Sequence, residues 1–178
     1  MMKKENVYHF PSKSGQKIWV RPLRADDAPL LVDLFNHMTS ESRYRRFHQT
    51  LDHVPTSRIW AEAKNIVDAD PARNHGLVAT ADVPDEGNVP VGAVRIVETS
   101  PGEGEIAISI RDDFQNQGIG SHMMRLMTDK ARALGYRRLI ADIQNDNQAI
   151  WRVFNKLPYQ VMRSARGSYS DIVIFLKT

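Results

Sequence analysis

The first third of the chain carries one strand pattern followed by three helix patterns. Residues 17–23 (KIWVRPL) combine apolar alternation with branched and aromatic side chains, which predicts a β-strand. Asp26 and Asp27 then precede apolar residues spaced three and four apart, so we expect an amphipathic helix capped by these aspartates. A second helix is predicted from Ser40, and a short third helix from Ser57 to Val67.

The remainder of the chain alternates strands with two helices. Two strands flank the turn-rich sequence PDEGN and predict a hairpin, and the longest helix pattern has an apolar stripe that ends at Gly135. The predicted strands cover residues 76–83, 89–98, 103–110, 138–144, 159–163 and 169–176, and the predicted helices cover residues 118–135 and 147–157. This order indicates a mixed α and β protein without internal repeats.

Length and composition limit the class of protein. The 178 residues fit one domain, which we place at residues 1–178 with residues 1–14 as a flexible leader. The absence of cysteine excludes disulfides, thiolate metal sites and a cysteine nucleophile, and it is compatible with a reducing cytosol. Because the chain lacks a secretory signal and any apolar run of membrane-spanning length, we expect a cytoplasmic protein without a membrane partner.

The chain is slightly basic, with a formal net charge of +3. This charge suits an acidic partner or a polyanionic cofactor, whereas nucleic-acid binding would need a denser basic stripe. Arg43, Arg45 and Arg46 crowd the second predicted helix, and we interpret them as a solvated face that could also contact an acidic protein surface. The histidines are scattered without metal-ligand spacing, so no metal site is expected.

The segment most informative about chemistry runs from residue 105 to residue 122 and joins a strand, a short loop and a helix start. Gly118 and Gly120 allow close backbone approach, and the free N–H groups of a first helical turn attract phosphate. A dinucleotide-binding turn would need a third glycine where Met123 stands. A nucleoside-triphosphate loop would need Gly-Lys-Ser/Thr where the chain has Ser121-His122. The segment therefore predicts either a pyrophosphate cradle of another kind or an ordinary strand-to-helix turn.

The sequence QNQGIG at residues 115–120 resembles the acyl-CoA signature Q/R-x-x-G-x-G/A of the GNAT N-acetyltransferase superfamily. In that family the signature joins the fourth strand to the next helix, and a later strand is followed by an asparagine, a helix and a Lys/Arg-Leu-Gly-Phe element. Here Asn147, a predicted helix and KLPY at residues 156–159 keep that spacing. VRPLRADD at residues 20–27 and SESRYRRF at residues 40–47 also resemble the branch of bacterial Pat-type protein lysine acetyltransferases.

The resemblance extends over nearly the whole chain and implies both a fold and an activity. The implied GNAT fold is α+β in three layers, with a mixed, largely antiparallel central sheet flanked by helices. The implied activity is direct transfer of an acetyl group from acetyl-CoA, or of a related acyl group, to an amine, and the branch favours a protein lysine. A small-molecule amine N-acetyltransferase and a non-catalytic acyl-CoA sensor are the alternatives. The sequence leaves the acceptor, the acyl chain and the oligomeric state open.

The resemblance also implies cofactor contacts for individual residues. The strand from Ile108 through Ser109 to Ile110 would face the pantetheine arm. Asn147 would hydrogen-bond the pantetheine region, although an asparagine at this place also serves as a helix cap without any such duty. For His122 a packed or surface position is the competing interpretation. The residues implied to bind the pyrophosphate are Gln115, Gln117, Gly118, Ile119, Gly120, Ser121 and His122.

Glu105 is the candidate general base, because a protonated amine must lose a proton before it attacks a thioester. It matches the glutamate of the fourth strand in the Pat-like branch, and its neighbours on the same face are small. Glu103 lies on that face too and is the second candidate. Many relatives place a tyrosine, which protonates the leaving thiolate, at the position of Phe154. Phe154 has no proton donor, so the general acid is left open.

Overall fold

The computed structural model describes residues 7–176, and all the predicted elements are present with small shifts at their ends. The strands are β1 (Tyr8–Pro11), β2 (Lys17–Pro22), β3 (Asn74–Val83), β4 (Gly87–Ser100), β5 (Glu103–Ile110), β6 (Arg138–Gln144), β7 (Gln160–Arg166) and β8 (Tyr169–Phe175). The α-helices are α1 (Ala28–Asn36), α2 (Ser40–Phe47), α3 (Thr56–Val67), α4 (Ile119–Ala133) and α5 (Gln148–Phe154).

These strands form one sheet in the order β1-β2-β3-β4-β5-β6-β8-β7. Each neighbouring pair is antiparallel except β5 and β6, which run parallel. β5 pairs along its length with β4, and β6 pairs along its length with β8. By contrast, β5 and β6 pair with each other only through residues 103–105 and 138–140. The mixed, largely antiparallel sheet is therefore confirmed, and it opens at its centre.

Helices cover both faces of the sheet. α4 and α5 lie on one face, where Met123 and Phe154 join strand residues such as Ile106 in the main hydrophobic core. The helices α1, α2 and α3 pack on the opposite face, where Ala28 and Ala63 belong to a smaller apolar cluster. Burying an apolar helix stripe against each sheet face is what stabilises such an arrangement. The three predicted layers are thus confirmed.

The prediction of a flexible leader over residues 1–14 is wrong for part of that segment. Residues 1–6 lie outside the described residues, but Tyr8–Pro11 form β1, which pairs with β2 through a tight turn. The side chain of Phe10 is buried in the main core, which gives this short strand a hydrophobic anchor. One consequence is that β5, predicted as the fourth strand, is the fifth strand of the chain.

An ion pair, not a side-chain cap, holds the N-terminus of α1. The Asp27 carboxylate accepts two hydrogen bonds of 2.7 Å from the Arg21 guanidinium and one of 2.7 Å from the backbone N–H of Arg24. It makes no capping bond to α1, so the predicted aspartate cap is wrong, although α1 begins directly after Asp27. Burial acts to raise the pKa of Asp27, but Arg21 and Arg24 outweigh burial and lower the pKa below its ordinary value.

We predict that Asp27→Asn lowers the free energy of unfolding by about 2 kcal/mol at pH 7, because it removes the charge from a largely buried, bidentate pair. Since the folded-state pKa of Asp27 is lowered, its contribution is complete above the ordinary value of 3.8 and is lost as the pH falls below that value. Urea unfolding of wild type and variant across this pH range measures the difference. The exposed neighbour Asp26→Asn is the control, and equal wild-type and Asp27→Asn stabilities at pH 7 would contradict the prediction.

Candidate active site

The divergence of β5 and β6 opens a cleft at the centre of the sheet. Beyond residues 105 and 140 the two strands are no longer paired, so residues 106–110 of β5 have no strand partner on that edge. The cleft has a volume of about 450 Å³, which is within the range of small-molecule sites. Both strands line it, together with α2, α5 and the first turn of α4. The free edge of β5 could accept an extended ligand in the way a sheet accepts an added strand.

The cleft passes through the sheet from one face to the other. Side chains alternate along β5, so Glu105 and Ser109 lie on the face that α2 covers, whereas Ile106 and Ile108 lie on the face that α4 covers. Residues of both sets line the cleft. Two ligands could therefore approach from opposite faces and meet between the strands.

The N-terminus of α4 forms the end of the cleft that attracts anions. Gly118, directly before α4, has a φ of 84°, a left-handed conformation that favours glycine. Within residues 7–176, the backbone N–H groups of residues 118–121 donate no hydrogen bond. Unpaired N–H groups at a helix start, together with the helix dipole, favour bound negative charge. This end of the cleft can therefore hold a phosphate or pyrophosphate group.

Two side chains shape the cleft next to α4. The Gln115 amide donates hydrogen bonds of 3.2 Å to the Ser42 hydroxyl and to the carbonyl oxygen of Ile110, so it connects the end of β5 to α2. At Gly120, a Cβ atom would stand 3.7 Å from the side chains of Ile110 and Val153, which is ordinary van der Waals contact. A larger side chain at this position would extend into the cleft, which Gly120 lines.

Most of the predicted site residues come together in the cleft, but Gln117 and His122 do not line it in the described structure. The Gln117 side chain instead accepts a hydrogen bond of 2.8 Å from the Ser14 hydroxyl. The His122 ring stacks on Phe10 at a centroid distance of 4.1 Å, which agrees with the packed interpretation of this histidine. Burial and then Lys156 lower the pKa of His122. The predicted residues that line the cleft are Glu105, Ile108, Ser109, Ile110, Gln115, Gly118, Ile119, Gly120, Ser121 and Asn147.

The two candidate bases differ in their surroundings. Glu105 lines the cleft, is exposed, and accepts no hydrogen bond from the described residues. Glu103 is bound by the guanidinium of Arg138 and by the Thr99 hydroxyl, and it does not line the described cleft. A carboxylate without another hydrogen-bond donor is available to take a proton from a substrate. The geometry therefore favours Glu105 over Glu103.

The arginines of α2 do not form the solvated face that the sequence predicted. Arg43, Arg45 and Arg46 are all partly buried, because α2 packs against β5. The Arg43 guanidinium donates to the backbone carbonyl oxygens of Phe35 and Leu51 at 3.0 to 3.3 Å. Arg45 and Arg46 line the cleft.

Arg45 connects α2 to the N-terminus of α5. Its guanidinium donates a hydrogen bond of 2.6 Å to Glu41 and one of 3.3 Å to the side-chain oxygen of Asn147. The same Asn147 oxygen accepts from the backbone N–H of Ile150 at 3.3 Å and so caps α5. Asn147 therefore is a helix cap and also a wall residue of the cleft, while its bond to a pantetheine group stays a prediction.

Arg46 is a cation in the cleft wall without a hydrogen-bonded partner among the described residues. Its guanidinium carbon lies 4.8 Å from the ring centroid of Phe47. Burial and then the charge of Arg95 lower the pKa of Arg46, whereas the charge of Glu105 raises it. Arg46 was predicted as part of a solvated face or of a contact with an acidic protein surface, not as a residue of the cleft. The signals that pointed to this helix were its crowded arginines and the resemblance of residues 40–47 to one GNAT branch.

Phe154 lines the cleft and is buried, so the wall at this position offers no proton donor.

Within residues 7–176, no group of three or more His, Asp or Glu side chains is placed to hold a metal ion. No helix in the same range is long and apolar enough to cross a membrane.

Two proteins described as acetyltransferases are similar to this chain over most of its length. The chain is 26% identical over 138 residues to an acetyltransferase of Pseudomonas aeruginosa, an alignment that covers 76% of this chain and 71% of that protein. It is 28% identical over 149 residues to the acetyltransferase Pat of Mycolicibacterium smegmatis. That alignment covers 82% of this chain but only 42% of Pat, so this chain corresponds to less than half of that relative.

The fold is similar to that of a solved GNAT domain. The GNAT domain of S. lividans PAT superimposes with a TM-score of 0.78 at 24% sequence identity, covering 94% of this chain and 95% of that one. The sequence profile of the acetyltransferase (GNAT) domain matches residues 17–160, which include both cleft strands and α4. The match spans well over half of the chain, and the chain therefore belongs to the GNAT family of acetyltransferases.

Proposed function

We propose that this acyltransferase moves an acetyl group from acetyl-CoA directly to an amine, with a protein lysine as the acceptor. The observation that carries the proposal is the cleft between β5 and β6, which has an anion-attracting helix N-terminus at one end and the free carboxylate of Glu105 at the other. Membership of the GNAT family supports acetyl-CoA as the donor. The similarity to acetyltransferase Pat supports the choice of a protein acceptor.

The donor is proposed to lie along the free edge of β5. Its pyrophosphate would accept hydrogen bonds from the unpaired N–H groups of residues 118–121. These groups have no hydrogen bond within the protein that would first have to break. Its extended pantetheine arm would pair with the backbone of residues 108–110. From Ile110 back to Glu105 is about 16 Å along a strand, at roughly 3.3 Å per residue. The thioester would thus lie near Glu105, well away from the phosphates.

The acceptor is proposed to enter from the face that α2 covers. Once the ammonium group has lost one proton, the neutral amine nitrogen attacks the thioester carbon and a carbon–nitrogen bond forms. The carbon–sulfur bond then breaks, CoA leaves as the thiolate, and the nitrogen loses its second proton to water, which leaves an amide. Glu105 takes the proton that the ammonium group must lose, directly or through water. Because Phe154 has no donor, the thiolate takes its proton from water. CoA thiolate is a good leaving group, so the reaction can proceed without a side-chain acid.

Phe154 also favours a second candidate function, which is a non-catalytic acyl-CoA sensor. In that case the cleft would bind acetyl-CoA, but no amine would be acetylated. Free CoA release in the presence of an amine or protein acceptor separates the two functions, since a sensor never exceeds the rate without enzyme.

We predict that Gly120→Val raises the Kd for acetyl-CoA at least about tenfold while leaving thermal stability nearly unchanged. The Cβ atom fits the folded protein, but the added methyl groups extend into the cleft. Isothermal titration with acetyl-CoA gives the Kd. Ala133→Val, at the exposed far end of α4, adds comparable bulk to the same helix and should leave the Kd unchanged. Undiminished affinity in a folded Gly120→Val protein would place the donor elsewhere.

We predict that Glu105→Gln lowers kcat/KM for the acceptor by about 100-fold near neutral pH, because the variant cannot take the amine proton. The Kd for acetyl-CoA should not change. The loss should diminish at high pH, where more of the acceptor is already unprotonated. A pH series of initial rates measures this, with Glu103→Gln as the matched control, since Glu103 binds Arg138 outside the cleft. Full activity of Glu105→Gln at every pH would remove Glu105 from the mechanism.

A further inference from the structure

The three arginines of α2 differ in what their charges bind. Arg43 donates to backbone carbonyl oxygens, and Arg45 donates to Glu41 and Asn147. Arg46 alone among them has neither a hydrogen bond nor an ion pair with the described residues. A partly buried guanidinium has lost part of its hydration, and leaving it without an acceptor costs free energy. Such a group is suited to bind an anion that the protein itself does not supply.

Arg46 lines the same cleft as Glu105, on the side where α2 covers β5. The two charges act on each other, although no hydrogen bond joins them. The guanidinium of Arg95 also acts on both residues, but Arg95 donates to Asn74 and does not line the described cleft. Arg95 also interacts with Glu62, so Arg46 is the arginine of this group that lines the cleft and has no hydrogen-bonded partner among the described residues.

The phosphates of the donor are not the anion that this position fits. They would lie at the N-terminus of α4, where Gly120 lies beside Ile108 and Ile110, about 10 to 16 Å along β5 from Glu105 at roughly 3.3 Å per residue. Arg46 lines the cleft from α2, which packs against the β5 face that carries Glu105, and the charges of the two residues act on each other. An anion at Arg46 therefore has to belong to a group that stands close to the reacting amine.

We propose that Arg46 binds a carboxylate that the acceptor carries beside its reacting amine. This inference rests on the proposed acetyl transfer. A guanidinium offers a planar pair of donors that matches a carboxylate, and Glu105 receives the ammonium group of the same molecule. The pair thus selects an acceptor that has both charges. Two kinds of acceptor carry both groups. One is a free amino acid, and the other is a protein whose target lysine has an Asp or Glu side chain beside it.

The test compares acceptors that differ only in the carboxylate. Free amino acids are paired with their carboxamides, and lysine peptides with a flanking Glu are paired with the same peptides carrying Gln. Each pair is assayed with wild type, Arg46→Met and Arg46→Lys, and with Arg58→Met as a control from the exposed surface of α3. The same pairs are titrated as ligands in the presence of CoA, so that the preference is measured even where no transfer occurs.

Wild type should prefer the carboxylate member of a pair by about 10- to 100-fold in kcat/KM or Kd, as expected for a charge-assisted hydrogen bond. Arg46→Met should abolish this preference, Arg46→Lys should restore part of it, and Arg58→Met should retain it. The Kd for acetyl-CoA should be equal in all four proteins. A preference confined to amino acids identifies a small-molecule acceptor, and one confined to peptides identifies a protein lysine in an acidic sequence.

The proposal would be overturned if the wild-type protein did not distinguish the paired acceptors in rate or in binding. An unchanged preference in Arg46→Met would also overturn it. If Arg46 instead controlled a preference for succinyl-CoA over acetyl-CoA, the carboxylate would belong to the donor and the proposal would be wrong. Failure of the proposed function is distinguishable from all of these results, because it appears as absent transfer with any acceptor.

Discussion

The short parallel pairing of β5 and β6 is the constraint on which the rest of the site depends. The strands are held together through residues 103–105 and 138–140, and each continues with a full antiparallel partner on its other side. The outer ladders keep the sheet intact while its centre opens. Polar backbone groups on the free edge of β5 need hydrogen-bond partners, which water or an extended ligand can supply. The sheet therefore has an unpaired strand edge at its centre, in addition to the edges of its outermost strands.

Charge is arranged along this opening so that its two ends suit different groups. At the end near α4, unpaired N–H groups and the helix dipole favour phosphate, and the side chain of Lys13 beside Gly118 adds a positive charge. At the other end, Glu105 and Arg46 place opposite charges in the wall. Such a separation suits the proposed transfer between a polyanionic donor and an ammonium-bearing acceptor, because each substrate would be attracted to its own end.

Much of the fold and of the cleft lining next to α4 could be predicted from the sequence. The strands at residues 103–110 and 138–144 match β5 and β6, because long apolar patterns next to clear turns leave little ambiguity. β1 was missed, since four residues are too short for a periodic signal and only the burial of Phe10 fixes them. The packing of His122 on Phe10 depends on that same strand and was open for the same reason.

The side of the cleft that α2 covers was less predictable, because it depends on packing between distant elements. Arg43, Arg45 and Arg46 look alike in the sequence, and only the contact of α2 with β5 gives each a different environment. Likewise, Asp27 is a residue type that commonly caps helices, yet its carboxylate binds Arg21 on the preceding strand. A charged residue can be assigned from sequence to a surface or a cap, but its partner is decided by the fold.

The most direct measurement of the central claim is backbone amide hydrogen exchange with and without acetyl-CoA. If the donor occupies the opening between β5 and β6, amides within residues 106–110 and residues 118–121 should be protected on addition of acetyl-CoA. Amides of the outer strands should change little. Protection confined to other parts of the chain, with these two segments unchanged at saturating acetyl-CoA, would contradict the account.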